Sequence, residues 1–162
     1  MKKLILVVMM VLLAIPVLAQ EGESQTVVKK KKGRIPSEKE CAISAGVLQG
    51  GGGLIGADFE YLFAKHVSAQ VGIGLVSYGA ALNYHFKPFI NSSMISLAYL
   101  HQGFGHSYTT SWVGSLYTFR APKVFQFQIG FGYAVDYGPA ATDQMKKTQA
   151  GLLYSIGVYF PI

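Results

Sequence analysis

From Phe125 to Val135 the chain alternates without a break. Phe125, Phe127, Ile129, Phe131, Tyr133 and Val135 are large and apolar, while Gln126, Gln128, Gly130, Gly132 and Ala134 are polar or small. Period 2 over eleven residues describes a β-strand with two chemically different faces. None of the eleven is charged. A strand whose second face meets water normally carries Lys, Glu or Thr there. Here one face is too aromatic for water, and the other is too small and neutral for a soluble surface. The pairing fits a strand with lipid outside and a packed polar lumen inside.

The same texture of Gly, Ser, Tyr, Phe and β-branched residues begins at Cys41 and runs to the last residue. No stretch longer than a turn shows a 3.6-residue period. Eight strands are predicted, at 41–50, 54–63, 67–77, 80–87, 93–103, 107–119, 124–135 and 148–160. Several approach the roughly ten residues that a tilted transmembrane strand needs. The predicted turns are the glycine run Gly50 to Gly53, Ala64-Lys65-His66, and Tyr78-Gly79 as a two-residue hairpin. Longer connections begin at Lys87-Pro88, Ala121-Pro122 and Asp136. The glycine run has no following Lys-Ser/Thr and no helix, so it reads as a flexible turn and not a phosphate loop.

Alternation assigns the faces. Ala57, Phe59, Tyr61 and Phe63 point out, with Gly56, Asp58 and Glu60 in; Val71, Ile73 and Leu75 point out, with Ser68, Gln70 and Gly72 in. Leu82, Tyr84 and Phe86 point out, with Asn83 and His85 in. On 107–119, Val113, Tyr117 and Phe119 are placed outward, which turns Trp112 and Leu116 inward. The last strand turns Leu152, Tyr154, Ile156, Val158 and Phe160 out. These choices gather Tyr61, Phe63, Tyr84, Phe86, Tyr117, Phe119, Phe125, Phe127 and Phe160 at one height, as in an interfacial girdle. In hydrocarbon an open sheet edge leaves backbone groups without partners, so the strands must close on themselves. The expected fold is all-β, an eight-stranded antiparallel up-and-down transmembrane β-barrel. Its interior is filled by side chains and is too narrow for a wide channel.

The first forty residues are of another kind. Lys2 and Lys3, the apolar run Leu4 to Pro16 and Val17-Leu18-Ala19 form a secretory signal peptide over 1–19. Residues 20–40 are polar and basic, with Lys29 to Lys32, Arg34 and Lys39, and read as a disordered periplasmic linker before the barrel at 41–162. The formal net charge of +6 therefore describes a tail. No basic face interleaved with aromatics exists to bind nucleic acid. Cell-wall polymer or anionic lipid is the partner that Lys29 to Lys32 would suit. The single cysteine, Cys41, is expected to be an unpaired strand residue, and no Cys/His spacing suits a metal. No cofactor is expected.

On these features residues 41–162 resemble the small eight-stranded outer-membrane barrels of Gram-negative bacteria. Substrates of that family's assembly machinery end on a strand of the form polar-x-Gly-x-x-apolar-x-apolar, and Ser155, Gly157, Phe160 and Ile162 fill those places. Pro161 and the terminal Ile depart from the pattern. Because proline cannot donate to a ladder, the strand is expected to end at Phe160. The resemblance implies an outer-membrane location, contact with outer-membrane lipids, and folding by the barrel-assembly machinery.

The candidate chemistry is a lumen polar network of Asp58, Glu60, Gln70, Asn83, His85, Gln126 and Gln128. With turns at 64–66 and 78–79, Asp58, Gly72 and His85 fall in one row, and Glu60 and Gln70 lead to Lys87 in the next. A direct Asp58–His85 contact follows, the start of a general-base pair or a buried charge satisfied internally. His101, His106, Ser107 and Tyr108 raise a lipid A deacylase-like hydrolase, but adjacent His106 and Ser107 point to opposite faces of a strand. The leading expectation is non-enzymatic: membrane integrity, or surface interaction and adhesion through the loops. The alternatives are the lipid-modifying enzyme and a soluble periplasmic barrel holding a hydrophobic ligand. The last would need the aromatic face turned inward.

Overall fold

The computed structural model describes residues 39–105, 107–147 and 149–162. The expected signal peptide and nearly all of the expected basic linker, including Lys29 to Lys32, lie outside the described residues, as does His106. Eight strands form: β1 Cys41–Val47, β2 Ile55–Ala64, β3 Val67–Gly74, β4 Ser77–His85, β5 Met94–Phe104, β6 Tyr108–Arg120, β7 Phe125–Tyr137 and β8 Ala150–Pro161. A one-turn helix α1, Asp143–Lys147, lies between β7 and β8. Each strand pairs antiparallel with the next, and β8 pairs with β1, so the sheet closes into a barrel without edges.

The faces fall as the alternation predicts. Phe59, Phe63, Val71, Leu82, Phe86, Val113, Phe119, Ile129, Phe131, Leu152 and Ile156 are exposed on the outer wall. Ser44, Asp58, Glu60, Ser68, Asn83, His85, Ser96, Thr118, Gln126 and Ser155 are buried. The molecule is inside-out relative to a water-soluble domain. Outward strand positions carry no Lys, Arg or Glu, and a single Asp, Asp136, near the end of β7.

The register has one success and one correction. Asp58 pairs with Gly72 and Glu60 with Gln70, as predicted. The turn there is the two residues Lys65-His66, and a bulge at Phe63 keeps the register. Between β3 and β4 the turn is Leu75-Val76 and not Tyr78-Gly79, since Gly74 pairs with Ser77. Gly72 therefore pairs with Gly79, not His85, and Gln70 with Ala81, so Lys87 falls in a loop. Val76 holds a φ of 59°, a conformation that β-branched residues rarely adopt. Gly79 is retained inside β4 for a different reason. A Cβ there would lie 3.0 Å from the Gly51 Cα and 2.9 Å from the Tyr99 carbonyl oxygen.

That contact exposes a second correction. The 41–50 strand stops at Val47, and residues 48–54 fold into the barrel mouth instead of forming a free turn. Gln49, Gly50, Gly51 and Gly53 are buried. Leu48, Gly50, Gly51 and Gly52 have φ of 58°, 65°, 84° and 83°. A Cβ on Gly51 would collide with the backbone of Tyr78, so the glycine is demanded both by conformation and by the wall behind it. The loop is held by Ser77 Oγ donating to Gly50 O at 2.6 Å, Gly50 N to Asp58 Oδ1 at 3.2 Å and Gln102 Nε2 to Gly52 O at 3.2 Å. Gly51→Val is expected to eject the loop and cost about 2 kcal/mol or more. Gly105→Val is the control: its φ is 61°, but its Cβ would meet open space, so only local strain of about 1–2 kcal/mol is expected. Urea midpoints of the two variants check the difference.

At the opposite end Ile90, in the connection from β4 to β5, and Met94, the first residue of β5, are fully buried. The β8 strand continues through Pro161, which pairs with Ala42, and Ile162 N donates to Cys41 O at 2.8 Å. The strand thus does not end at Phe160: Pro161 takes a place that asks for an acceptor, and Lys39 Nζ donates to its carbonyl at 3.0 Å.

Candidate functional site in the barrel lumen

Glu60, the inward residue of mid-β2, organises the lower lumen. Its Oε1 accepts from Ser68 Oγ at 2.5 Å, His85 Nε2 at 2.8 Å and Asn83 Nδ2 at 3.1 Å. Because a carboxylate only accepts, the Nε2 of His85 carries the proton. Its Oε2 accepts from Arg120 Nη2 at 2.5 Å. Arg120 closes the other side: Nε donates to Gln126 Oε1 at 3.2 Å, Nη1 donates to Ile90 O, and the guanidinium lies 4.9 Å over the Tyr159 ring. Asn83 Nδ2 also reaches Gln70 Oε1 at 3.2 Å. Of the seven expected network residues, Asn83 and His85 thus bond Glu60 directly, and Gln70 and Gln126 join through Asn83 and Arg120.

Gln128 does not join them, and Asp58 reaches them only at the edge, through Gln70. Gln128 bridges Thr118 Oγ1 at 3.2 Å and Ser155 Oγ at 2.7 Å, one level higher. Asp58 binds the glycine loop through Gly50 N. The expected Asp58–His85 contact is replaced by Glu60–His85, because the displaced β3–β4 turn slides β4 along β3.

Arg120 is the residue that sequence reasoning missed. It stands next to Ala121-Pro122 and reads as a turn charge, yet it is 1 % exposed. One signal was available: Arg120 continues the inward parity of Trp112, Leu116 and Thr118. A buried carboxylate in a lumen also calls for a cation.

The Glu60–His85 pair resembles a general-base arrangement only in composition. His85 and Glu60 are 0 % and 2 % exposed and do not line the lumen cavity above them, so they are not placed as a catalytic pair facing a substrate there. Their arrangement suits a strut that fixes β2, β3, β4 and β6 across the lumen. Above this layer lies a cavity of about 250 Å³, roofed by Leu48 to Gly52.

On the outer wall, His101 and Ser111 pair directly across β5 and β6, with His101 Nδ1 2.9 Å from Ser111 Oγ. Tyr99 OH donates to the same Oγ at 3.2 Å, and Tyr78 stacks on the imidazole with ring centroids 4.7 Å apart. Ser111 is 3 % exposed beneath these rings, and among the described residues no carboxylate hydrogen-bonds to His101. Ser107 is exposed, and its carbonyl accepts from Ala140 N at 3.1 Å. Among the described residues no group of His, Cys, Asp and Glu could hold a metal ion, and Cys41 is free.

At the end of β8, Ser155 and Gly157 have packing roles. Ser155 holds Gln128, and a Cβ at Gly157 would collide with the backbone of Ala45. Phe160 and Ile162 are exposed at the outer rim. Compared with protein-family models, curated proteins and solved structures, the chain matches none.

Proposed function

We propose that the chain is an integral outer-membrane barrel with a packed polar lumen and a structural or surface-interaction role. The observation that carries this is the composition of the outer wall. Large apolar side chains are exposed all around it while Ser, Asn, Gln, Glu, His and Arg are buried. In water such a wall would be an apolar patch far beyond the few hundred Å² that soluble monomers expose. Aromatic residues band both ends: Tyr61, Phe63, Phe86, Tyr117, Phe119 and Phe125 near the β1 start, and Tyr78, Phe104, Tyr108 and Tyr133 near the other. Strands β2, β5, β6, β7 and β8 have 10 to 13 residues, enough to cross when tilted. Strands β1, β3 and β4 are shorter, with 7, 8 and 9 residues, on the side where the glycine loop folds in.

The side chains packed across the lumen around Glu60 and Arg120 argue against bulk conduction and against lumen catalysis. Contact with the assembly machinery through Ser155, Gly157, Phe160 and Ile162 belongs to the same proposal. Fractionation of producing cells tests it. The protein is expected in the outer membrane, released only by detergent, with an unheated gel band displaced from the boiled one. Recovery in the soluble periplasm would overturn it.

The lipid-hydrolase reading stands second, on the His101–Ser111 pair alone. A hydrolase needs an accessible nucleophile and an oriented base, and Ser111 is covered. Lipid mass spectra from cells with wild-type protein and with Ser111→Ala separate the two readings: the structural reading expects identical spectra.

A further inference from the structure

The upper lumen cavity has a composition that a packed barrel does not need. Asp58 is the only charged side chain among the described residues that lines it. Glu60 one row below is matched by Arg120, but Asp58 has no Lys, Arg or His within ion-pair distance among the described residues. It is 7 % exposed and accepts from Gly50 N and Gln70, which leaves acceptor sites of its carboxylate unused. A buried carboxylate beside empty space calls for a cation or a proton. Two further groups on the lining lack partners among the described residues: both amide atoms of Gln49, which is 2 % exposed, and Ser96 Oγ, which is 3 % exposed. Facing these polar groups is an apolar wall of Leu100, Trp112, Leu116 and Leu153.

We propose that this cavity is a binding site for a small primary amine with an apolar or aromatic body. The ammonium sits on Asp58 and the body lies against Trp112 and Leu116, under the glycine loop. Size fixes the scale. A cavity of about 150 Å³ holds benzene, so about 250 Å³ holds a molecule of roughly ten non-hydrogen atoms. Charge fixes the sign, because an anion would meet Asp58 with no cation to offset it. The inference goes beyond the membrane reading and does not depend on it, since the cavity is interior whatever the outer wall meets.

Trp112 is the one tryptophan of the chain, so its fluorescence reports the site without a label. The test titrates the folded full-length barrel with 2-phenylethylamine, neutral 2-phenylethanol and anionic 3-phenylpropanoate at about pH 8, where amine and carboxylate are both ionised. The amine is expected to give a saturable change, the alcohol to bind at least about tenfold more weakly, and the anion to give none. Asp58→Asn is expected to remove the preference for the amine. Ala81→Leu, which fills the cavity without removing a polar group, is expected to abolish the response in a barrel that still shows heat-modifiable mobility. A non-saturable response, equal response to amine and alcohol, or an amine response unchanged in Ala81→Leu would each overturn the proposal.

Discussion

Arg120→Ala is expected to lower the stability of the barrel by about 3–5 kcal/mol, the largest effect of any single lumen substitution. The guanidinium is 1 % exposed and is the only Lys or Arg group that bonds to Glu60 among the described residues. Its loss leaves a carboxylate that is 2 % exposed held by Ser68, Asn83 and His85 without the guanidinium. It also frees the Ile90 carbonyl and Gln126 Oε1, and so loosens the plug between β4 and β5. The pair is worth less than its breakage suggests, because both charges had to leave water. The double variant Glu60→Gln with Arg120→Ala is therefore expected to be less destabilised than Arg120→Ala alone, a non-additivity of about 1 kcal/mol or more, on the order of that measured for buried networks. Urea unfolding of the four proteins in one detergent gives the cycle. Additive losses would mean that Glu60 and Arg120 are held independently.

The second large effect separates lipid from water. Val71 and Phe131 are 57 % and 75 % exposed on the outer wall, away from the aromatic bands. On a wall that meets water, Val71→Arg or Phe131→Arg would change stability by about 0.5 kcal/mol or less. At the midplane of a bilayer the same guanidinium costs about 2–4 kcal/mol. The expected outcome in phospholipid vesicles is the larger figure for both sites. Lys65→Arg, in the turn after β2, is expected to be silent. Unfolding free energies in vesicles of one lipid decide between them.

Much of this architecture is legible in the sequence because a period of 2 survives errors of register. Placing the β3–β4 turn at Tyr78-Gly79 instead of Leu75-Val76 slides the pairing by six residues. Six is even, so every inward and outward assignment stays correct while every contact across that pair changes. Only turn chemistry could have decided, and it misled. Leu75-Val76 has none of the residues that favour turns, and Val76 adopts a positive φ. Tyr78-Gly79 looks like a turn, yet Gly79 is small to admit the Gly51 backbone. The slide is why Glu60, and not Asp58, received His85.

The glycine run was visible but its destination was not. Four consecutive glycines announce backbone freedom. They do not say whether the chain spends it in solvent or against the walls formed by Ile73 and Tyr78. That depends on a cavity shape set by residues distant in sequence, such as Ser77 and Gln102. Arg120 was obscured by its place beside a proline turn, where a charge normally meets water. Its depth comes from the inward connection that brings Ile90 to its Nη1.

Contact of the outer wall with lipid is tested most directly by spin labels placed one at a time at residues 129, 131 and 133, with Cys41 replaced by Ser and residue 65 as the exposed control. Labels at 129, 131 and 133 in vesicle-borne protein are expected to be accessible to oxygen and protected from a polar nickel chelate, with the label at 65 reversed. Nickel accessibility at 129 and 131 equal to that at 65 would contradict the account.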